Sequence, residues 1–135
     1  MAIQLAILTR NARLNAIETE IGTTAVLKMF TGAQPADCAT ANSGTELFTE
    51  TLPTDWMGAA AAGAMSLLGT WQAVAIGGGG TVAHFRLYAS DGTTCKMQGT
   101  ITVTGGGGDM TIDNPVLADG QTVTVTTFTI TDGNA

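Results

Sequence analysis

The stretch from Thr81 to Val103, TVAHFRLYASDGTTCKMQGTITV, constrains the fold most, because it has the pattern of a β-hairpin. Side chains alternate in character along both halves with the two-residue period of strands. Between the halves, Asp91 and Gly92 provide the turn signal that is typical of short hairpin loops. The first half predicts an apolar face and an opposite face that is exposed or at an interface. The apolar face carries Ala83, Phe85 and Leu87, and the opposite face carries His84, Arg86 and Tyr88.

The return half of this hairpin contains one of the two cysteines of the chain. Cys95 is in phase with Met97, Ile101 and Val103, so we expect it to be a small residue of the core. Cys38 is far from it in the sequence, within a stretch that has the composition of a loop. A chain made in a cytoplasm keeps its thiols reduced, and two scattered cysteines with one histidine do not provide the four ligands of a zinc site. We therefore expect two free thiols and assign no metal-ligating residues, while the acidic turns at Asp91, Asp119 and Asp132 leave a bound calcium ion open.

The stretch GQTVTVTTFTITDGNA, residues 120–135, alternates threonine with apolar residues and then changes phase. Val123 and Val125 share one parity, whereas Phe128 and Ile130 share the other, because two threonines are adjacent between the two pairs. One extra residue in a strand forms a bulge and turns the following side chains to the other face. In sandwiches, strands that bend in this way pass from one sheet to the other. The alternative is that the second half contacts another subunit.

The beginning of the sequence has the spacing of one amphipathic helix that ends at Gly22. Thr9 is a candidate N-cap for a helix over residues 10–21, which leaves residues 1–8 as an extended apolar arm. A longer helix fits the same pattern. The apolar stripe consists of Leu5, Leu8, Leu14, Ile17 and Ile21.

After the helix, the sequence has the pattern of short strands separated by Gly-rich and Pro-containing turns. Short strands are expected over residues 64–68 and 71–76, although the first of these is rich in alanine. Two runs of four glycines flank the hairpin, and we interpret them as connections between strands. Neither run is followed by the Lys and the Ser or Thr that open the helix of a phosphate-binding loop.

These elements predict a mainly β fold, a β-sandwich of jelly-roll or Greek-key type preceded by one N-terminal helix or arm. A length of 135 residues is typical of one domain. We expect a single domain over residues 1–135, with the arm and helix in residues 1–22 and the sandwich in residues 23–135.

Charged residues make up only 12% of the chain, against roughly 25% in average proteins. Such a surface repels neighbouring molecules weakly, which favours a chain that is covered by other subunits. A net charge of −6 with five Lys and Arg residues argues against a nucleic-acid partner. The first apolar run is too short for a membrane span and lacks the features of a signal peptide. The nearest approach to a basic cluster is Arg10 with Arg13, which we expect on a solvated helix face together with Glu18 and Glu20.

The sequence offers no catalytic constellation, and we expect a protein that is not an enzyme and binds no cofactor. His84 is the only histidine, and no serine is spaced from it as a nucleophile with an orienting carboxylate would require. We interpret the acidic residues as ordinary solvent charges, because no aromatic cleft residues surround them. The carboxylate pairs considered for acid–base chemistry are Glu46 with Glu50 and Asp109 with Asp113.

The two tryptophans, Trp56 and Trp71, lie in the most apolar and least regular third of the sequence. Both fit a core position. Trp56, followed by Met57, also fits an interface anchor, because tryptophan is over-represented among such anchors. The residues that we expect at an interface are Ile3, Leu5, Ile7, Leu8, Trp56, Met57, Phe128 and Ile130.

Four stretches together resemble small β-rich structural proteins of tailed bacteriophages: LTRNARLNAIETEIG, LKMFTGAQPA, AHFRLYASDGTT and TVTVTTFTITDGNA. The resemblance is to the decoration, or cement, proteins that bind the outside of an icosahedral head and connect neighbouring capsomers. It covers most of the chain apart from roughly residues 40–75. It implies a virion protein of the capsid surface, made in the host cytoplasm, that binds the major capsid protein and forms a trimer or a dimer.

Two other functions fit the same pattern. A subunit of the phage tail, baseplate or fibre base would also be β-rich and oligomeric. A carbohydrate-binding module would share the sandwich fold, but it needs a row of exposed aromatic residues, and aromatic residues make up only 5% of the chain.

Overall fold

The computed structural model describes residues 3–133, in which helix α1 spans Ile7–Ile21. The helix begins three residues before the predicted start, because the residue that caps it is Ala6 and not Thr9. Residues 7 and 8 therefore belong to the helix and not to an arm, and Met1 and Ala2 lie outside the described residues. The predicted end is confirmed: Gly22 adopts a φ of 92° and donates its amide hydrogen to the carbonyl oxygen of Glu18 at 2.8 Å.

The rest of the described chain is mainly strand, as the sequence predicted. The strands are β1 (Val26–Phe30), β2 (Glu46–Thr51), β3 (Ala64–Ser66), β4 (Trp71–Val74), β5 (Gly80–Thr81), β6 (His84–Tyr88), β7 (Cys95–Val103), β8 (Met110–Ile112), β9 (Val116–Leu117), β10 (Thr122–Val125) and β11 (Thr129–Thr131). Five strands form one sheet in the order β2-β1-β6-β7-β8, which is antiparallel except for the parallel pair β7 and β8. The other strands of the described residues form three two-stranded pairs: β10 with β4, β11 with β3, and β5 with β9.

The predicted hairpin is confirmed as strands β6 and β7, which pair antiparallel across the turn at Asp91. Both carboxylate oxygens of Asp91 accept hydrogen bonds from Thr94, and one also accepts from the amide of Thr93. These bonds hold the pKa of Asp91 down at about 2. The pairing has one irregularity, because Leu87 lies opposite Met97 whereas Tyr88 lies opposite Cys95. This bulge changes the face on which Cys95 lies.

The predicted change of phase near the end of the sequence is also confirmed. Val123 and Val125 are buried on β10, which pairs with β4, whereas Phe128 follows the phase change and is buried before β11, which pairs with β3. Ile130 on β11 is half-buried and packs against the core. One continuous segment thus supplies the partner strand of two different pairs.

The hydrophobic core is one cluster that joins the helix, the five-stranded sheet and the small pairs. Four aromatic rings form a chain of contacts at its centre, with centroid separations of 5.6–6.1 Å. Such tilted and edge-to-face contacts add to the stabilisation from buried apolar area. The four rings are those of Trp56, Trp71, Phe128 and Phe85.

The two short strands predicted in the irregular third exist but are shorter, at Ala64–Ser66 and Trp71–Val74. The first glycine run connects strands, as expected, and its glycines have positive φ. At Gly77 a Cβ atom would come within 2.4 Å of the carbonyl oxygen of Glu46, so the backbone approach itself requires glycine.

Candidate functional site

The polar face of strand β6, with His84, Arg86 and Tyr88, is buried within the chain, which corrects the prediction that this face is exposed or at an interface. All five residues of β6 are buried, with His84 0% and Arg86 3% exposed. The cause is the loop of residues 31–45, here called the covering loop, whose backbone binds side chains of this face. The sequence indicated that these residues form a loop but not that the loop crosses the sheet.

Arg86 fastens the centre of the covering loop. Its Nη2 atom donates hydrogen bonds to the carbonyl oxygens of Asp37 at 3.0 Å and Thr40 at 2.7 Å. Its Nε atom donates to Oε1 of Gln98 on the neighbouring strand at 3.1 Å. Asp37 in turn accepts two hydrogen bonds from Thr40, which lower the pKa of Asp37 and close a tight turn. The guanidinium therefore fixes both ends of a four-residue turn.

His84 and Gln98 fasten the two flanks of the covering loop. The Nδ1 atom of His84 lies 2.9 Å from the carbonyl oxygen of Gly32, and Nε2 lies 2.8 Å from Oδ1 of Asn42. The imidazole also stacks on Phe30 at a centroid distance of 5.4 Å. Nε2 of Gln98 donates to the carbonyl oxygen of Pro35 at 2.7 Å. Both ring nitrogens of the single histidine are thus engaged in holding the loop.

The two cysteines lie near one another in the fold, although they are far apart in the sequence. The thiol of Cys95 donates a hydrogen bond of 3.6 Å to the carbonyl oxygen of Met97, and the side chain of Cys38 is close enough to influence its titration. Both residues are half-buried free thiols. Burial, and then the contact with Cys38, raise the pKa of Cys95 to about 12. Cys95 is therefore not a core residue beside Met97, because the bulge places it opposite Tyr88 on the loop-covered face.

A second cluster joins helix α1 to the irregular segment that follows β2. Asn11, Asn15 and Glu18 lie on one face of the helix, since they are spaced four and three residues apart. Here they are called the helix clamp. Their side-chain oxygens accept hydrogen bonds from the backbone amides of Gly63, Ala60, Trp56 and Met57, all at 2.8–2.9 Å.

The prediction that Arg10, Arg13 and Glu18 form a solvated helix face is therefore wrong for two of them. Glu18 is part of the helix clamp, and Arg10 donates through Nε and Nη2 to the carbonyl oxygen of Asp132, the Nε contact being 2.8 Å. Arg13 is mostly exposed and pairs with the carboxylate of Asp132 at 3.4 Å. Glu20 is exposed, as predicted, and pairs with Lys96. The helix thus contacts the sheets with polar as well as apolar side chains.

Two of the four acidic residues considered for acid–base chemistry have partners of their own. Glu46 pairs with Lys28 at 3.1 Å, whereas Asp109 accepts hydrogen bonds from the amide and the hydroxyl of Thr100, each at 2.9 Å. Asp113 is exposed. Glu50 differs from an ordinary solvent charge, because burial raises its pKa and its Oε2 atom is buried without a hydrogen-bond partner.

The predicted interface residues divide into three groups by exposure. Ile3 is 84% exposed, Leu8 77% and Ile7 43%, and these three are here called the N-terminal apolar patch. Leu5 and Ile130 are half-buried. The other three residues belong to the core and are at most 5% exposed, so they are not available to a second molecule in this fold. They are Trp56, Met57 and Phe128.

Sequence reasoning missed the residues that hold the covering loop. Nothing in the sequence marks the carbonyl groups of the loop as acceptors, because every residue has one. Asn42 and Gln98 likewise belong to no recognisable sequence motif. One signal was present: the only two cysteines lie one in the loop and one on the hairpin that the loop covers.

Comparisons with protein-family models, with curated proteins and with solved structures find no match for this chain. Within residues 3–133, the one helix is not long and apolar enough to cross a membrane. The same part of the chain contains no group of three or more His, Cys, Asp or Glu side chains arranged to hold a metal ion.

Proposed function

We propose that this chain is a capsid decoration, or cement, protein of a tailed bacteriophage. It binds the major capsid protein on the outside of the head and connects neighbouring capsomers as a trimer or a dimer. The observation that carries the proposal is the N-terminal apolar patch, in which Ile3 and Leu8 are 84% and 77% exposed. The three residues of the patch lie within six positions of the sequence, and clusters of exposed apolar side chains mark surfaces that bind other proteins.

The intramolecular contacts of the Lys and Arg side chains favour a protein partner over a nucleic acid. All five Lys and Arg side chains of the sequence contact groups of the same chain. The cations that would neutralise phosphates are therefore already engaged, while the net charge is −6. A protein interface of about 800 Å² on each partner would be sufficient for a specific contact.

The proposal includes a β-sandwich of jelly-roll or Greek-key type. The supporting observation is the segment from β10 to β11, which changes phase and pairs first with β4 and then with β3. Strands that connect two packed sheets behave in this way. Sandwiches of this kind are common in viral shells.

The test compares heads assembled with the wild-type chain and heads assembled with the double variant Ile3→Gln and Leu8→Gln. A matched control replaces two exposed valines on strands β4 and β9, Val74→Gln and Val116→Gln. We expect stoichiometric binding of the wild type and the control, weakened binding of the patch variant, and loss of head stability to heat when the chain is absent. Heads that are equally stable without it would contradict the proposal. Location of the chain in the tail by cryo-electron microscopy would favour the tail-subunit alternative instead.

A further inference from the structure

The bulge in the hairpin places Cys95 on the face of the sheet that the covering loop crosses. Cys95 pairs with Tyr88, and Arg86 pairs with Gln98 on the same two strands. Paired residues in an antiparallel ladder project to the same side of the sheet. Cys95 therefore faces the covering loop together with the side chains that bind it.

The covering loop is fastened on both sides of Cys38. Arg86 holds the carbonyl groups of Asp37 and Thr40, which flank Cys38 in the sequence, and Gln98 holds the carbonyl group of Pro35. These hydrogen bonds hold Cys38 over the face of the sheet on which Cys95 lies, and its side chain is close enough to raise the pKa of the Cys95 thiol. A disulfide requires two thiols that are brought close together, and a backbone fixed on both sides of Cys38 keeps it near Cys95.

We propose that Cys38 and Cys95 are a site of reversible oxidation, at which a low-molecular-weight disulfide such as oxidised glutathione converts the two thiols into an internal disulfide. The bond joins the covering loop to strand β7. This proposal does not depend on the proposed function.

The reaction proceeds by two thiol–disulfide exchanges. First, the Cys38 thiolate attacks one sulfur of oxidised glutathione; a mixed disulfide forms, and a glutathione thiolate leaves and takes up a proton. Cys95 then loses its proton to solvent, and its thiolate attacks the sulfur of Cys38, which releases the second glutathione. In total, the two protein thiols lose two electrons and two protons, and one oxidised glutathione becomes two reduced glutathione molecules.

The environment of Cys95 sets the order of the two steps. Burial, the neighbouring thiol of Cys38 and the charge of Cys38 together raise the pKa of Cys95, so little Cys95 thiolate is present for the first step. The two causes that come from Cys38 disappear once Cys38 is in the mixed disulfide. The nearby guanidinium of Arg86 continues to favour the Cys95 thiolate.

The test uses the full chain, incubated in buffers with a series of ratios of oxidised to reduced glutathione and then treated with a thiol-blocking reagent. Intact mass spectrometry under denaturing conditions measures the products. We expect the wild type to lose two hydrogen atoms in mass and to add neither blocker nor glutathione. The single variants Cys38→Ser and Cys95→Ser each keep one thiol, so we expect them to finish with one glutathione or one blocking group.

Thermal unfolding provides a second readout. A disulfide that closes the long segment between the two cysteines restricts the unfolded chain, so we expect the oxidised wild type to gain roughly 5–15 °C in Tm. The gain should disappear on addition of dithiothreitol and be absent from both single variants. A wild type that stays reduced at every ratio, stops at a glutathione adduct or forms disulfide-linked dimers would overturn the proposal. The wild-type mass measurement decides this even if a serine variant fails to fold.

Discussion

The indole Nε1–H of Trp56 donates a hydrogen bond of 3.0 Å to the carbonyl oxygen of Gly22, the residue that ends helix α1. Carbonyl groups at the end of a helix lack partners within the helix, and here a fully buried core side chain supplies one. One turn earlier, Glu18 binds the backbone amide of the same tryptophan at 2.9 Å. The end of the helix and the centre of the core are therefore joined by polar contacts.

Replacement of Glu18 by alanine should destabilise the chain by about 2–3 kcal/mol, because the amides of two buried residues lose their acceptor. Glu18→Gln retains a side-chain carbonyl oxygen and should cost less. Urea unfolding followed by tryptophan fluorescence measures both. The matched control is Glu20→Ala on the same helix, which loses only an exposed pair with Lys96 and should unfold at nearly the wild-type urea concentration.

Replacement of Arg86 by methionine should release the covering loop and cost about 2–3 kcal/mol, because the carbonyl groups of Asp37 and Thr40 lose their donor. Hydrogen exchange measured by mass spectrometry should become faster in residues 33–44. The control is Lys28→Met on strand β1, directly opposite Arg86, whose side chain pairs with Glu46 near the surface. Equal exchange of the loop in the two variants would contradict the role assigned to Arg86.

The spacing of apolar residues in the sequence predicted the helix and strands that have one apolar face and one polar face. The hairpin of β6 and β7, the end of the helix at Gly22 and the change of phase before Phe128 followed from local spacing and turn residues. The face of β6 was assigned wrongly, because alternation identifies two faces but not what covers each of them. A loop can bury a polar face when its carbonyl groups accept hydrogen bonds from the side chains of that face. No local sequence pattern predicts this arrangement.

Replacement of Glu50 by glutamine should change the dependence of stability on pH. Burial raises the pKa of Glu50 above its ordinary value of 4.5, so the folded chain holds this proton more tightly than the unfolded chain does. The favourable contribution is complete below pH 4.5 and is lost as the pH rises through the higher folded pKa. Glu50→Gln should therefore unfold like the wild type at pH 4 and be more stable at pH 7, by less than about 1 kcal/mol because solvent reaches part of the side chain.

Thermal melts across this pH range compare the two proteins. Glu46→Gln is the control, since Glu46 lies on the same strand and is paired with Lys28. It should give no gain in Tm at pH 7. A Glu50→Gln variant that is less stable than the wild type at pH 7 would show that Oε2 of Glu50 has a partner in solution.

Replacement of Gly99 by alanine should cost about 1–3 kcal/mol, because overpacking displaces core side chains. A Cβ atom at this position would lie 2.6 Å from Cε1 of Phe85 and 3.0 Å from Cβ of Asp109. Phe85 also contacts Phe128 edge to face, so the ring has little room to move. Gly133→Ala, where nothing lies within 4 Å, should leave the Tm unchanged. Differential scanning calorimetry measures the Tm of both variants and of the wild type.

The sequence also could not reveal which apolar residues remain exposed. Ile3 and Leu8 are exposed, whereas Trp56 and Phe128 are buried, although all four were expected at an interface. The two aromatic residues fill the space between the sheet and the small strand pairs, and that space exists only after distant strands have paired. The proximity of Cys38 and Cys95 arises in the same way, from a loop that folds back over a strand.

The pairing of β3 with β11 has a kinetic consequence. The hydroxyl groups of Ser66 and Thr129 lie 2.9 Å apart although the residues are separated by 63 positions. Closing so long a loop costs entropy before any contact compensates for it, and chains rich in such pairings fold in milliseconds to seconds rather than microseconds. Until β11 pairs with β3, the edge of β3 and the alanine-rich stretch before it remain exposed. Aggregation during refolding should therefore start from this edge, and a lower protein concentration should suppress it.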